Sequence, residues 1–487
     1  MACSETKTPR ALGRRDLRAF CVWERAGGSA FLPKRLLARV GKVEDGIEEV
    51  GDATESCLEM KHCGVVIVGW GTVGTGVAKI LLTQRDELAR RTGADLELLR
   101  VVDSDLERKR HFRVPGELLS RNLDDVLTDP KVQVVAELVG GIEPTRELVL
   151  RLIEAGKHVV TANKALLATH GRELFAAARK RGVALAFEAS AAGGVPVVRA
   201  LAEGLVANRI ESIVGIVNGT ANFVLTQMAR ENMPYEEALS QAQAAGYAER
   251  DPTLDVEGTD SAHKLAILAR TGMDADFDLA EISTQGITHL EVCDLQYAWE
   301  LGYAIKLLAI ARRREEELDL RVHPALISRQ HPLAWVDGVF NAICIRGDAV
   351  GDILFYGQGA GQMPTASAVV ADMVDLALGR GQRTFEQLAT SPRRVPVRPT
   401  ADITTQYYLR FQALDRPGTL ANIAGVLGRH DISILSVMQK EAPPDVTYVP
   451  VVIVTHPARE KDLSQAVAEI DALDVVKGAS VWIRMEQ

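Results

Sequence analysis

The sequence predicts an α/β protein of three domains, and three observations support that fold class. Strand-like and helix-like patterns alternate over residues 64–188, as in a parallel sheet with crossover helices. The alternation stops at Gly193-Gly194, and a mixed α+β pattern follows. Residues 404–487 then show the order β-α-β-β-α-β, which is typical of a small ferredoxin-like domain. A chain of 487 residues is long enough for three such cores.

Composition excludes several classes of partner. The net charge of −9 and the pI near 5.7 give no electrostatic basis for binding nucleic acid. The sequence has no apolar run near the ~18 residues that span a bilayer. Six cysteines are scattered without a CxxC pair or metal-ligand spacing, which indicates reduced thiols. We therefore expect a soluble, cytoplasmic protein with neither a nucleic-acid nor a membrane partner.

Residues 1–59 differ from the rest of the chain. Residues 1–40 are basic and show no lasting periodicity, whereas residues 44–59 are too acidic for a transit peptide. The apolar core of a signal peptide is missing from this sequence too. Met60 directly precedes the first predicted strand. We expect residues 1–59 to be a disordered extension, or to lie upstream of a true start at Met60.

A glycine-rich turn joins the first strand to the first helix of the alternating region. Gly64–Gly69 is a short β-branched run, and helical spacing begins at Thr75. Between them lies the pattern Gly-x-Gly-x-x-Gly, whose glycines permit a tight turn, approach of a pyrophosphate and close helix packing. We predict a Rossmann-type domain over residues 60–190, completed by 356–379. Its phosphate loop is formed by Gly69, Gly71, Thr72, Val73 and Gly74.

The second predicted strand, Leu96–Val102, ends at Asp103. A carboxylate at this point can accept hydrogen bonds from the adenosine ribose and would repel a 2′-phosphate, which favours NAD. Arg108, Lys109 and Arg110 follow closely and could instead hold the 2′-phosphate of NADP. A plain turn residue is the third interpretation of Asp103.

Further strand–helix units place polar residues at strand ends, where ligands bind in such sheets. The residues at these positions are Gly140, Thr161, Asn163, Lys164 and Glu188. We expect Gly140 to contact the cofactor. Lys164 is expected in the active site rather than as a solvated loop lysine.

An acidic stretch precedes the apolar helical run that begins at Lys264. Glu249, Asp255 and Asp260 lie ahead of that lysine, and Asp260 is four residues from it, so the two share a helix face. Carboxylates here could bind an amino-acid ammonium while the lysine donates a proton to a carbonyl. The alternative is an ordinary helix start, in which acids complement the helix dipole.

Two other segments complete the predicted organisation. Residues 191–355 carry long helices with strands near 320–323 and 339–346, and we assign them to substrate binding and dimerisation. Residues 380–403 are basic and contain three prolines, as a linker between domains would.

Together these segments resemble homoserine dehydrogenases that carry a C-terminal ACT domain. The resemblance covers roughly residues 62–487. The turn Asp415–Leu420 is similar to the signature of ACT domains. The other matching segments, in the family's order, are Gly69–Gly74, Thr161–Lys164, Glu188–Pro196, Asn218–Thr220, Gly246–Lys264 and Gly357–Met373.

The resemblance implies an NAD- or NADP-dependent interconversion of L-homoserine and L-aspartate 4-semialdehyde. It implies that Lys264 is the catalytic lysine, that Lys164 lies between nicotinamide and substrate, and that Gly361 contacts the cofactor. The residues that it implies at the substrate are Gly246, Glu249, Asp255 and Asp260.

The resemblance also implies a structural monovalent cation, expected to be sodium, and an effector site. The cation ligands would be Glu188 and the carbonyls of Ala191, Gly193 and Val195, a set of hard oxygens. ACT domains commonly pair and bind amino acids, and threonine is the usual effector in this family. The candidate effector residues are Asp415, Gly418 and Asn422. We expect a homodimer or, through paired ACT domains, a homotetramer.

Two other functions fit parts of the sequence. One is a different NAD(P)-dependent aldehyde reductase, but a phosphorylating type would need a cysteine nucleophile, and Cys293 and Cys344 lie in helix- or strand-like segments. The other is an amino-acid sensor that has lost its dehydrogenase activity. The intact set Glu249, Asp260 and Lys264 argues against this second alternative.

Overall fold

The computed structural model describes residues 60–388, 393–441 and 446–486. The predictions about residues 1–59 lie outside these ranges. Within them, every helix is too short or too polar to cross a membrane.

The first domain alternates strands and helices. Its strands are β1 (Lys61–Val68), β2 (Ala94–Val102), β3 (Leu119–Ser120), β4 (Val132–Glu137), β5 (His158–Thr161) and β6 (Leu185–Ala186). Its helices are α1 (Thr72–Thr83), α2 (Arg85–Thr92), α3 (Asp124–Leu127), α4 (Thr145–Glu154) and α5 (Lys164–Arg181). The strands form a parallel sheet in the order β3-β2-β1-β4-β5-β6, which is the Rossmann order that the glycine pattern predicts. Val65, Val66 and Ile67 of the central strand are fully buried, which explains its unbroken apolar run.

The central domain is a mixture of helices and mostly antiparallel strands. Its strands are β7 (Ile210–Ile216), β8 (Ala275–Asp276), β9 (Ser283–Thr284), β10 (Tyr303–Arg314), β11 (Glu317–Ser328), β12 (Phe340–Gly347) and β13 (Gly351–Gln358). Its helices are α6 (Ala189–Ala192), α7 (Val197–Arg199), α8 (Gly219–Glu231), α9 (Tyr235–Ala244), α10 (Thr253–Val256), α11 (Thr259–Met273), α12 (Val292–Glu300) and α13 (Gln362–Ala377).

Helix α13 returns the chain to the first domain, where it packs against α1. A Cβ atom at Gly76 would lie 2.8 Å from the Gln362 carbonyl oxygen and 2.9 Å from the Ala366 Cβ atom, so glycine permits this close approach. Gln362 Nε2 also donates to the Thr72 carbonyl oxygen at 3.1 Å. The start of α13 therefore lies beside the predicted phosphate loop.

The C-terminal part has the predicted order β-α-β-β-α-β. Its elements are α14 (Arg380–Leu388), β14 (Arg393–Arg394), β15 (Thr404–Leu414), α15 (Thr419–Arg429), β16 (Ile434–Gln439), β17 (Tyr448–Thr455), β18 (Ala458–Arg459), α16 (Glu460–Asp471) and β19 (Val481–Glu486). Tyr407, Leu409 and Phe411 of β15 are fully buried in a core of its own. Strand β19 pairs in parallel with β11, so one sheet runs through both domains in the order β13-β12-β7-β10-β11-β19-β15-β17-β16.

Two segments differ from the sequence prediction. β10 has the helix-favouring sequence YAIKLLAIARRR without an alternating pattern, yet it is a strand because β7 and β11 pair with it on both sides. Residues 380–403 do more than link domains. α14 and β14 lie in this segment, and Phe385 and Val395 are buried in the main hydrophobic core. These two apolar side chains fasten the segment to the protein.

Candidate active site

Lys264 and Asp260 lie one turn apart near the start of α11, as their spacing predicts. The Lys264 Nζ atom lies 2.7 Å from the Asp260 Oδ2 atom, and both side chains are buried. Lys264 Nζ also donates to the Val217 carbonyl oxygen at 2.7 Å. Since an ammonium has three N–H donors, one remains for a substrate.

A second lysine approaches the same carboxylate from the first domain. Lys164 is the first residue of α5, and its Nζ atom lies 3.0 Å from Asp260 Oδ1. Burial would raise the pKa of Asp260, but Lys264 and Lys164 outweigh it and hold that pKa well below its usual range. Burial opposes the charge of Lys164, yet Asp260 outweighs burial and raises the pKa of Lys164. The result is a carboxylate between two ammonium groups from two domains.

Asn218 holds the acidic residues together, a role that the sequence did not reveal. Its Nδ2 atom donates to Asp255 Oδ1 at 2.6 Å and to Asp260 Oδ2 at 2.9 Å. Its Oδ1 atom accepts from the Ala221 N–H at 2.8 Å and so caps α8. Burial raises the pKa of Asp255, and the nearby Asp260 adds to that rise. An asparagine ahead of Gly-Thr at a helix start was the available signal, but it indicates only a cap.

The predicted substrate residues Gly246 and Glu249 lie on an exposed loop after α9. Thr220 Oγ1 fastens this loop to α8 by donating to the Tyr247 carbonyl oxygen at 2.7 Å. Glu249 is close enough that its charge contributes to the raised pKa of Lys164. The structure thus brings Lys164, Asp255, Asp260 and Lys264 together, with Glu249 nearby and open to solvent.

The predicted phosphate loop has the geometry that its glycines require. Gly69 has φ +102°, and a Cβ atom at Gly74 would lie 2.1 Å from the Gly69 carbonyl oxygen. Gly71 directly precedes α1, and a Cβ atom there would meet open space. Thr72 and Val73 form the first turn of that helix. An open helix N-terminus of this kind fits the pyrophosphate of a dinucleotide.

Two further glycine turns lie beside the phosphate loop. Gly361 has φ +122° and precedes α13, whose first residue contacts Thr72. Gly140 has φ +80° and belongs to the loop after β4. A Cβ atom at Gly69 would lie 2.5 Å from the Leu138 carbonyl oxygen, so this loop packs directly against the phosphate loop.

Asp103 lies at the end of β2, where it engages the first loop. Its Oδ2 atom accepts from the Trp70 N–H at 2.5 Å, and its Oδ1 atom accepts from the Asp105 N–H at 2.8 Å. The Arg110 guanidinium lies over the Trp70 ring at 3.9 Å and donates to the carbonyl oxygens of Trp70, Asp105 and Arg108. Arg110 is therefore engaged locally, whereas Arg108 and Lys109 are exposed.

The predicted cation ligands form one turn around α6. Glu188 Oε1 accepts from the Val198 N–H at 2.9 Å, and Oε2 accepts from the Arg199 N–H at 2.7 Å. Each carboxylate oxygen accepts one N–H, and the Val195 carbonyl oxygen likewise accepts from the Val197 N–H at 2.8 Å. The other two oxygens of the predicted set are the carbonyls of Ala191 and Gly193. Neutral carbonyls fit a monovalent ion. In the part of the chain that the structure describes, no cluster of three or more His, Cys, Asp or Glu residues could hold a metal.

The candidate effector residues Asp415, Gly418 and Asn422 lie close together in sequence and are exposed at the turn between β15 and α15. Gly418 has φ +91° and directly precedes α15, and its carbonyl oxygen accepts from the Asn422 N–H at 3.1 Å. Asp415 Oδ1 accepts from Gln439 Nε2 at 3.4 Å.

Family models match each of the three domains. A model described as homoserine dehydrogenase, NAD binding domain, matches residues 69–188. The homoserine dehydrogenase model matches residues 196–374, and the ACT domain model matches residues 407–475.

Whole-chain relatives agree with these matches. The homoserine dehydrogenase of Pseudomonas aeruginosa is 45% identical over 434 residues, which covers 88% of this chain and 100% of the relative. That of Bacillus subtilis is 40% identical over 436 residues, with 88% and 99% coverage. The crystal structure of a homoserine dehydrogenase from Thiobacillus denitrificans has a TM-score of 0.81 at 44% identity, with 88% and 99% coverage. The chain therefore belongs to the homoserine dehydrogenase family, with an NAD-binding domain and a C-terminal ACT domain.

Proposed function

We propose that this chain interconverts L-homoserine and L-aspartate 4-semialdehyde with a nicotinamide dinucleotide, as a step of amino-acid biosynthesis. One observation carries the proposal. The Asp260 carboxylate lies between Lys264 and Lys164, and Lys164 begins the helix that follows a strand of the Rossmann sheet. Ligands bind at this end of such sheets. Membership of the family supports the substrate.

The reaction needs a hydride donor or acceptor and a proton donor or acceptor. The dinucleotide, when bound, supplies or accepts the hydride. Lys264 stabilises and protonates the alkoxide that develops on the aldehyde oxygen, and it takes the proton back in the oxidative direction. Asp260 and the Val217 carbonyl hold the ammonium of Lys264 in place. Lys164 lies on the other side of Asp260 and orients the carboxylate.

The substrate ammonium requires a carboxylate with a free side. Asp260 already contacts Lys264, Lys164 and Asn218, so it has little capacity left. Glu249 is exposed, and Asp255 is half-buried with one amide partner. We assign the ammonium to Glu249 and Asp255. Asp260 acts on the substrate by positioning the two lysines.

We further propose NAD as the preferred dinucleotide. Asp103 places a negative charge at the end of β2, where the adenosine ribose lies in this fold. Main-chain carbonyls hold Arg110, which makes this arginine unavailable to a 2′-phosphate and so favours NAD. Arg108 and Lys109 are exposed, and they are the remaining cations that NADP would need. Comparing kcat/KM for NAD and NADP tests this preference. A higher value for NADP would contradict it.

A monovalent cation, expected to be sodium, is proposed at Glu188 and the carbonyls of Ala191, Gly193 and Val195. Exchanging sodium for tetramethylammonium should lower the Tm of the apoprotein if the ion is bound there. We also propose a cytoplasmic homodimer or homotetramer whose ACT domains bind an amino acid, threonine being the expected effector.

Absorbance at the nicotinamide band tests the proposed reaction directly. Purified protein with NAD or NADP should reduce the nucleotide when L-homoserine is added, and should not when L-threonine or L-malate replaces it. Equal rates with malate would identify a different alcohol dehydrogenase. Amino-acid binding without turnover of any of the three would identify a sensor.

A further inference from the structure

Glu137 is a buried carboxyl group that the proposed reaction does not use. It is the last residue of β4, and its side chain is 0% exposed. A buried carboxyl group is costly unless hydrogen bonds satisfy it. Its place at the carboxyl end of the central parallel strands is also where a dinucleotide binds in this fold.

The Glu137 carboxyl group joins two loops at that end of the sheet. Its Oε1 atom accepts from the Val139 N–H at 2.8 Å and from the Gly140 N–H at 3.2 Å. Its Oε2 atom accepts from the Thr161 hydroxyl at 2.6 Å. One side chain thus holds both the loop after β4 and the end of β5.

Thr161 continues the connection toward Lys164. The Thr161 hydroxyl oxygen accepts from the Asn163 N–H at 3.0 Å. Asn163 Nδ2 donates to the Gly141 carbonyl oxygen at 2.6 Å, and its Oδ1 atom accepts from the Leu166 N–H at 3.1 Å. Asn163 therefore caps α5 and ties it to the loop after β4 a second time. Lys164 is the first residue of that capped helix.

The other end of the network touches the phosphate loop. The Leu138 N–H donates to the Val68 carbonyl oxygen at 2.7 Å, directly before Gly69. A Cβ atom at Gly69 would lie 2.7 Å from the Val139 nitrogen, so the two loops are in close contact. The Val139 side chain is 52% exposed beside this contact. Displacement of residues 138–141 would therefore alter the wall of the dinucleotide site.

We propose that Glu137 is a positioning residue that fixes the 138–141 loop against the dinucleotide and, through Thr161 and Asn163, sets the start of α5 that carries Lys164. This inference rests on the proposed function for its dinucleotide ligand. Glu137 itself does not reach the reacting atoms. Its effect is to hold a binding wall and a lysine in one geometry.

Equilibrium binding of NADH and NADPH by the apoprotein tests this role, with nucleotide fluorescence as the readout. Glu137→Ala should raise the Kd of the better-bound nucleotide about tenfold or more, because the hydrogen bonds that hold two loops are lost. Glu137→Gln should restore most of the affinity. Its amide oxygen can accept from the Val139 and Gly140 N–H groups, while its amide nitrogen donates to the Thr161 hydroxyl oxygen. Thr161→Val is a milder variant that removes the Oε2 contact and should raise the Kd by a smaller factor.

Glu460→Ala is the matched control, since Glu460 is a buried carboxylate in the C-terminal domain that accepts from Arg484. It should lower Tm without changing the nucleotide Kd. A Glu137→Ala protein with lowered Tm and wild-type Kd would overturn the proposal, and so would a Gln variant as weak as the Ala variant. If the wild type binds nucleotide but does not oxidise homoserine, the proposed function is wrong. The role of Glu137 is then still tested, because it is judged only by the nucleotide Kd of the variants.

Discussion

Asp260 is the residue on which the geometry of the active site depends. Its two carboxylate oxygens face Lys264 and Lys164, and Asn218 adds an amide hydrogen bond. Burying a carboxylate is favourable only with such partners, and they hold its pKa low. The same contacts fix two ammonium groups that would otherwise repel each other. In the proposed reaction, a substrate oxygen would therefore meet a lysine whose position is already set.

Lys264→Ala should lower kcat about 10²- to 10⁴-fold, which is the usual contribution of a positioned general acid. The Kd for NADH should stay at the wild-type value, because the phosphate loop lies in the other domain. Steady-state kinetics and nucleotide fluorescence measure the two effects. Lys157→Ala is the control. Lys157 directly precedes β5 and is also buried, but its Nζ atom donates to the carbonyl oxygens of Asp129 and Val132. Near-normal turnover of Lys264→Ala would exclude the acid role.

Glu249→Ala should raise the KM for homoserine about tenfold or more, because a charge-assisted contact to the substrate ammonium is lost. The KM for the nucleotide should not change. Glu237→Ala removes an exposed carboxylate of α9 and serves as the control. An unchanged KM for homoserine would contradict ammonium recognition by Glu249.

The sequence predicts the charged residues of this site but not the groups that hold them. Asp260 and Lys264 share a helix face by spacing alone. Asn218 and the Val217 carbonyl reach them from the short connection between β7 and α8, more than 40 residues earlier. No local pattern specifies such a long-range contact. Lys164 was predictable in position from its strand end, whereas its pairing with Asp260 was not.

Strands β11 and β19 join the central and C-terminal domains through buried charges. Arg321 pairs with Asp319 and with Glu486, and His323 Nε2 lies 3.8 Å from Glu486 Oε1. His323 Nδ1 lies 2.8 Å from the Pro324 carbonyl oxygen, and Nε2 lies 3.4 Å from Arg321 Nη1. A neutral ring with its hydrogen on Nδ1 donates to the carbonyl and accepts from the arginine. Burial, with Arg484 and Arg321, lowers the pKa of His323 well below its ordinary value.

Because His323 stays neutral in the native state, we predict that the free energy of unfolding decreases at acidic pH. Below pH about 6.5 the unfolded chain binds a proton at residue 323 and the native chain does not, so stability falls as pH falls. One such group contributes a slope of about 1.4 kcal/mol per pH unit. The charged groups facing it are Arg312, Arg321, Arg484 and Glu486. His323→Gln should remove this contribution, so the Tm of the variant should fall less steeply than that of the wild type as the pH is lowered from about 8 to about 5.

His111→Gln is the control for the pH experiment, because the His111 side chain is exposed. Its Tm curve should run parallel to that of the wild type. Parallel curves for His323→Gln would show that residue 323 is protonated in the native state as well.

Element types were predictable where local pattern and tertiary context agree. β1 is β-branched and buried, and it was predicted together with the glycine turn that follows it. β10 was not predicted as a strand, because its Leu, Ala and Arg content favours a helix. Pairing with β7 and β11 makes it a strand. Tertiary pairing outweighs propensity at such central strands.

At the scale of the whole molecule, the ACT domain is connected to the proposed active site by one continuous sheet and by buried ion pairs. Arg410 of β15 donates to Asp294 of α12 at 2.6 Å, and the Tyr408 hydroxyl donates to the same carboxylate at 2.9 Å. Helix α12 packs against α8, whose cap Asn218 holds Asp255 and Asp260. An effector that shifts β15 can therefore alter the substrate site through contiguous packing.

Threonine should lower the rate of homoserine oxidation in a saturable manner if it binds the turn between β15 and α15. Asn422→Ala should weaken this inhibition and leave the rate without threonine unchanged, because residue 422 is exposed and lies in the C-terminal domain. By linkage, homoserine should weaken threonine binding by the same factor that threonine weakens homoserine binding. Titrating threonine against rate, and then measuring its Kd by calorimetry with and without homoserine, checks both statements. Tight threonine binding with no change in rate or in homoserine affinity would show that the ACT domain is uncoupled from the active site.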